Sequence, residues 1–243
     1  MTVYFIGAGP GDPDLITVRG QRLIRSCGTI LYAGSLVPAA VLEGHCAETV
    51  INTAELNLDE IVALIEAAHA KGHDIARVHS GDPSLYGAIG EQIRRLRPLH
   101  IDYEIVPGVT ATAACAALLG LELTLPDISQ TLILTRFANK TTMPDGEQLH
   151  DLARHRATMA IHLGIPHLHA IVEQLLPSYG NDCPIAVIHR ASWPDEDFVI
   201  GTLADIEKKV AAKGFQRTAL ILVGRVLTAN NFSDSSLYRI NSI

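Results

Sequence analysis

Along the 243 residues the spacing of apolar positions switches repeatedly between two periods. Short β-branched or aromatic runs at residues 2–6, 29–32, 48–52, 74–79 and 103–106 predict strands. Between them, residues 17–26 carry Val18, Arg22, Leu23 and Arg25 at amphipathic spacing. Residues 58–70 put Ile61, Leu64, Ile65 and Ala68 on one face, with Gly72 as a stop, and both stretches predict helices. A further helix-like run follows Pro83 and reaches Leu96. Residues 109–119 are Ala-rich and small on all sides, a helix for close packing on a sheet. The period is lost over residues 120–130, which contain Pro126 and read as a linker. Alternation then resumes, with strands expected at 131–135, 158–163, 185–189, 198–200 and 219–223. Helices are expected at 147–154, 167–176 and 203–212, and a polar tail at 230–243. The fold class expected is α/β, as two consecutive α/β domains, 1–119 and 131–243.

Composition narrows the partners. Hydrophobic residues at 48% and charged residues at 19% provide a proper core and exclude global disorder. A net charge of −7 argues against nucleic acid or an anionic membrane as partner. The four cysteines, Cys27, Cys46, Cys115 and Cys183, form no CxxC pair and read as reduced cytoplasmic thiols. No apolar run reaches spanning length. The eleven histidines show no ligand-like spacing, so no metal is expected; His79 and His162 are read as strand-end residues near a cleft.

The chain is organised around residues 77–90, RVHSGDPSLYGAIG. Ser80 and Gly81 form a tight turn at a strand end, and Gly81 lets a ligand lie against backbone. Asp82 is placed to accept bonds from ligand hydroxyls or from free N–H groups of the following helix. Pro83 suits a first helical turn. A second junction of this type is PGVTA, at 107–111. The two are read as neighbouring strand ends that open a crevice at the sheet edge. The early GAGPGD invites a dinucleotide reading, but the second strand ends in Tyr32-Ala33-Gly34 with no acid for a ribose. No Lys-Ser or Lys-Thr follows the glycines, so Gly9-Pro10-Gly11 is read as cleft wall. Trp193 packs on a bound ligand, or staples a loop or a dimer contact; the sequence leaves these open.

VYFIGAGPGDPDLIT, SGDPSLYG, PGVTA and the late TALILVGRV, in that order, resemble the tetrapyrrole methyltransferases from Val3 to about Leu227. Tyr32-Ala33-Gly34-Ser35-Leu36-Val37 and Arg190-Ala191-Ser192-Trp193-Pro194-Asp195-Glu196 are similar to the members that methylate C-11 of precorrin-4 or its cobalt form. The resemblance implies a homodimer of two-domain subunits with S-adenosylmethionine in the cleft between domains. It implies that Pro10, Ser80, Gly81, Asp82, Leu85, Thr110, Ala111, Leu163, Ala191, Thr218 and Ala219 hold that cofactor. The implied substrate carries many carboxylates, for which Arg136, Lys140 and Arg190 are the cations nominated. The uroporphyrinogen methyltransferases have an Asp-Arg pair after the second strand, where this chain has Ala33-Gly34-Ser35, so no general base is nominated. The alternatives are methylation of another tetrapyrrole position, a non-catalytic tetrapyrrole carrier, a nicotinamide-dependent oxidoreductase, and an RNA or protein methyltransferase.

Overall fold

The structure, a computed structural model, describes residues 1–138 and 141–235. The nominated Lys140 and the tail beyond residue 235 lie outside the described residues. The chain divides into two compact units: Met1–Ala114 with Ser192–Pro194, and Cys115–Ala191 with Asp195–Ile243. The division falls between Ala114 and Cys115, inside a helix, so the stretch 120–130 belongs wholly to the second unit.

In the first unit the strands are β1 (Thr2–Gly7), β2 (Thr29–Tyr32), β3 (Thr49–Asn52), β4 (Ile75–His79) and β5 (Asp102–Val106). The helices are α1 (Val18–Ser26), α2 (Leu58–Ala70) and α3 (Ile89–Leu96); α4 (Ala111–Leu119) begins at the unit's end. Local chemistry sets several boundaries. Thr17 caps α1 by accepting from Gly20 N at 3.0 Å. Asn57 and Glu60 form a reciprocal capping box at α2. The five strands pair in parallel, in the order β3-β2-β4-β1-β5.

This order corrects one expectation. β4 and β5, which carry the SGDP and PGVTA junctions, are not neighbours, because β1 runs between them. The central strand β4 is buried throughout. Ala76 and Val78 face Ile6, Ile24 and Ile30, and Ile75 faces Phe5, Leu31 and Ile65 on the other side. Alternation puts Arg77 and His79 on that second face, among residues that are otherwise apolar.

The second unit holds β6 (Leu132–Arg136), β7 (Thr158–His162), β8 (Pro184–His189), β9 (Asp197–Thr202) and β10 (Ala219–Val223). Its helices are α5 (Leu149–Ala153), α6 (Leu168–Tyr179) and α7 (Ile206–Lys213). The sheet is mixed, in the order β6-β7-β10-β8-β9, with only β6 and β7 parallel. One face packs Met159, Ile161, Ile185, Val187 and Ile221 against Ile171, Leu175 and Ile206 of the helices. α6 runs past the expected Leu176 despite Pro177. The Tyr179 hydroxyl donates to Ala157 O at 2.6 Å and anchors the extra turn.

Candidate functional site

In the first unit the nominated residues gather where β1, β4 and β5 end. Gly9 and Gly81 exchange backbone bonds, Gly81 N to Gly9 O at 2.7 Å and Gly9 N to Gly81 O at 3.3 Å. Both have positive φ, +81° and +62°, which suits glycine. The gap left by β1 is closed because Gly7 has no side chain. A Cβ there would sit 2.6 Å from both Gly108 Cα and Gly81 O. The two junctions therefore meet backbone to backbone over Gly7. Gly81 itself stays open: an added Cβ would find Val109 O at 3.9 Å and Ala111 N at 4.0 Å as its nearest neighbours.

Asp82 ties these turns together. Its Oδ1 accepts from Ser84 N at 2.8 Å and its Oδ2 from Gly108 N at 2.9 Å. It does not cap a helix, because no helix starts at Pro83. Residues 82–88 form a turn, with Leu85 N donating to Asp82 O at 3.2 Å. Tyr86 and Ala88 lie in the left-handed region at φ 57° and 51°, and α3 begins only at Ile89. Gly87 fits the turn because a Cβ would lie 2.2 Å from Pro83 O. At the other junction Thr110 Oγ1 accepts from Ala113 N at 3.2 Å and so steadies the first turn of α4, where Ala111 stands.

Pro10 is held from the side by Trp193, which belongs to this unit. The indole Nε1–H donates to Pro10 O at 2.9 Å, and Asp12 N donates to Ser192 Oγ at 3.0 Å. The indole occupies the space beside Gly11, where a Cβ would lie 2.2 Å from Cδ1. Of the roles left open for Trp193, the geometry supports the loop staple.

In the second unit the nominated residues share one end of the sheet. The antiparallel register sets Ala219 opposite His189, and Ile221 opposite Ile161. This brings Leu163, Ala191, Thr218 and Ala219 to a common edge, and Arg190 N donates to Thr218 O at 3.0 Å. Leu163, Arg190 and Thr218 all have positive φ, 56°, 49° and 55°. Non-glycine residues in that region concentrate where function demands an unusual backbone. Leu163 is also 63% exposed, high for an apolar side chain.

The nominated cations fare differently. Arg136 Nη1 donates to Phe137 O and Thr141 O, and Nη2 to Thr142 O, at 3.0–3.3 Å. Arg136 thus braces its own loop. Arg190 Nε pairs with Asp195 Oδ1 at 2.7 Å. A further cation went unnominated: Arg77 is 5% exposed and bonds Gln92, Leu31 O and Thr53. Its period-two match with Ile75 and His79 was the signal. Among the described residues, no three His, Cys, Asp or Glu side chains gather in a way that would hold a metal ion.

Burial, then the charge of Arg77, push the His79 imidazole down to about 3 from an ordinary 6.5. The folded state therefore holds neutral His79 where the unfolded chain would bind a proton. Stability from this group is complete above pH 6.5 and falls as pH drops toward 3. The slope approaches about 1.4 kcal/mol per pH unit. Urea midpoints from pH 7 to pH 4 are expected to fall less steeply for His79→Gln than for the wild type. Parallel curves would show that His79 is not buried neutral.

A family model described as Tetrapyrrole (Corrin/Porphyrin) Methylases matches residues 2–207. A precorrin-4 C(11)-methyltransferase of Pseudomonas aeruginosa is 75% identical over 98% of this chain and 96% of its own length. Among solved structures, a cobalt precorrin-4 methyltransferase, a cobalamin biosynthetic enzyme, superposes with a TM-score of 0.90 at 40% identity, covering 94% of this chain and 96% of the other. Uroporphyrin-III C-methyl transferase from Thermus thermophilus, complexed with S-adenyl homocysteine, gives a TM-score of 0.76 at 29% identity, covering 93% of this chain and 99% of the other.

Proposed function

The chain belongs to the tetrapyrrole (corrin/porphyrin) methylases, and we propose that it methylates C-11 of precorrin-4 in cobalamin biosynthesis, with S-adenosylmethionine as methyl donor. The observation that carries this reading is the 75% identity over 98% of the chain to a relative named for that reaction. The metal-free substrate is preferred because the relative named for it is at 75% identity, against 40% for the solved cobalt precorrin-4 methyltransferase.

Bound S-adenosylmethionine supplies a methyl group activated by a positive sulfonium. The first unit's strand ends fit such a molecule: backbone is exposed at Gly81, with small or apolar Pro10, Leu85 and Ala111 near it in sequence or space. The open Cβ direction at Gly81, with nothing closer than 3.9 Å, is a cradle that a side chain would fill. The bonds from Asp82 to Ser84 and Gly108 fix this cradle before any ligand arrives. In the second unit, Leu163, Ala191, Thr218 and Ala219 present the unusual backbone and the exposed apolar group that the proposal assigns to cofactor contact.

The acceptor carbon of an electron-rich tetrapyrrole is itself the nucleophile. What the protein must provide is alignment of that carbon in line with the methyl–sulfur bond. Fixed alignment is worth effective molarities of about 10⁵–10⁸ M. No side chain is assigned as general base.

The proposal extends to a homodimer in the cytoplasm. Phe198 and Ile200 on the edge strand β9, each 39% exposed, offer an apolar strip to a second copy. All four cysteines are free thiols, as a reducing compartment leaves them. Among the described residues no helix is long and apolar enough to cross a membrane.

The test is transfer of a labelled methyl group from S-adenosylmethionine to precorrin-4, with the label found at C-11. Label at another carbon would overturn the position and leave the chemistry.

A further inference from the structure

The first sheet contains a cation that neither its fold nor the contacts above account for. Arg77 lies in the middle of β4, 5% exposed, and forms no ion pair among the described residues. Its bonds all go to neutral acceptors: Nε to Gln92 Oε1 at 3.1 Å, and Nη1 to Leu31 O at 3.4 Å and Thr53 Oγ1 at 3.1 Å. Buried charges are ordinarily paired, because an unpaired ion loses much of its hydration without compensation. Nη2 takes no part in these bonds.

His79 stands two residues on, on the same face of the strand. It is 5% exposed, and among the described residues its Nε2 is the buried side-chain atom left without a partner. Two polar groups with unused hydrogen-bonding capacity therefore lie on one face of the central strand, Arg77 at its middle and His79 at its last residue. His79 leads directly into Ser80-Gly81-Asp82. Around them the strands give little competing chemistry: Phe5 is in register with Arg77 and Gly7 with His79. Gln92 holds the arrangement in place, since it accepts from Arg77 Nε while its own Nε2 donates to Ala88 O at 3.1 Å.

We propose that Arg77 and His79 form a receptor for a carboxylate of a ligand seated at the C-terminal end of β4. The guanidinium Nη2–H and a neutral imidazole N–H are the donors, and the carboxylate supplies the missing counter-charge. This rests on the methyltransferase reading above, under which two carboxylates are available. One is a side-chain carboxylate of the tetrapyrrole; the other is the amino-acid carboxylate of the cofactor. In either role Arg77 and His79 are positioning residues; Arg190, by contrast, already has an acid beside it in Asp195.

The test compares wild type, Arg77→Lys and His79→Gln. S-adenosylhomocysteine and its decarboxylated analogue are titrated by calorimetry, and kcat and KM are measured separately with precorrin-4. A charge-assisted hydrogen bond of this kind corresponds to about a 10- to 100-fold change. A tetrapyrrole carboxylate in the receptor raises KM for precorrin-4 by that factor in both variants, and leaves the S-adenosylhomocysteine Kd within about twofold. A cofactor carboxylate raises the Kd for S-adenosylhomocysteine by that factor, and leaves the decarboxylated analogue bound equally by wild type and variants. Either pattern supports the receptor. If Arg77→Lys does not fold, His79→Gln, which removes no charge, is read by the same criteria. Unchanged Kd and KM with a lowered Tm would overturn the proposal and make Arg77 a structural bolt between β4 and α3. Wild-type protein that neither binds S-adenosylhomocysteine nor transfers methyl would instead remove the functional reading, and this inference with it.

Discussion

Replacing Gly108 with alanine is expected to lower stability by about 3 kcal/mol, and methyl transfer at least about 100-fold. The added Cβ would lie 2.1 Å from Gly81 O and 2.8 Å from Gly7 Cα. Both are backbone atoms, so no side chain can swing away to relieve the contact. The SGDP and PGVTA turns would be forced apart over Gly7, and the open surface at Gly81 would move with them. For a chain of this length that loss corresponds to a fall in Tm of roughly 6–12 °C. Gly90→Ala is the matched control. It lies in α3, where an added Cβ meets nothing within 4 Å, so helix propensity alone should raise stability by about 0.4–1 kcal/mol. Calorimetric melts of the two variants check the contrast. Equal Tm values would mean that the turns are not packed backbone to backbone.

Asp82→Ala should have the second largest effect, and for a reason the sequence did not single out. The carboxylate serves two backbone N–H groups in different turns, Ser84 and Gly108. Removing it leaves a part-buried Gly108 N–H unpaired, and hydrogen bonds to a charged acceptor contribute about 1.5–3 kcal/mol each. A loss of about 2–3 kcal/mol is expected, with transfer down about 100-fold because the cradle at Gly81 is no longer fixed. Asp82→Asn keeps one oxygen acceptor and turns an NH₂ toward the other N–H, so it should lose about half as much stability. Denaturant melts read beside initial rates separate the two variants. If Asp82→Ala is as stable as wild type and only its rate falls, Asp82 acts on the ligand directly and the tie is incidental.

Much of the fold was legible because local chemistry specified it. The bounds of α2 follow from the Asn57–Glu60 capping box and Gly72, and β2 from a β-branched and aromatic run with clear ends. The start of α3 was not legible, because Pro83 announces a helix that Tyr86 and Ala88 then deny by turning left-handed. Within the PSLYGA segment Gly87 comes so close to Pro83 O that no Cβ would fit, a contact that only the folded turn reveals. Strand order was not legible either. Two Gly junctions read as neighbours are separated by β1, and they meet only because Gly7 lacks a side chain. At the site, the glycine turns were visible as motifs, whereas their hydrogen-bond partners were not. Asp82 reads as a ligand contact or helix cap until Gly108, twenty-six residues away, is seen to donate to it. Arg136 reads as a free cation until its bonds to Thr141 and Thr142 are drawn. Arg77 was hidden in plain view. A charge at a period-two position of a buried strand marks a buried cation, and only tertiary structure shows that no acid among the described residues answers it.

The central claim is methylation at C-11, and its most direct test is a labelled-methyl transfer followed by NMR. Purified protein is given S-adenosylmethionine carrying a ¹³C-methyl group and a panel of corrin precursors, metal-free and cobalt-loaded. The expected result is a single enriched methyl at C-11, formed fastest from metal-free precorrin-4. Enrichment at a different carbon, or tetrapyrrole that binds tightly and returns unlabelled, would contradict it.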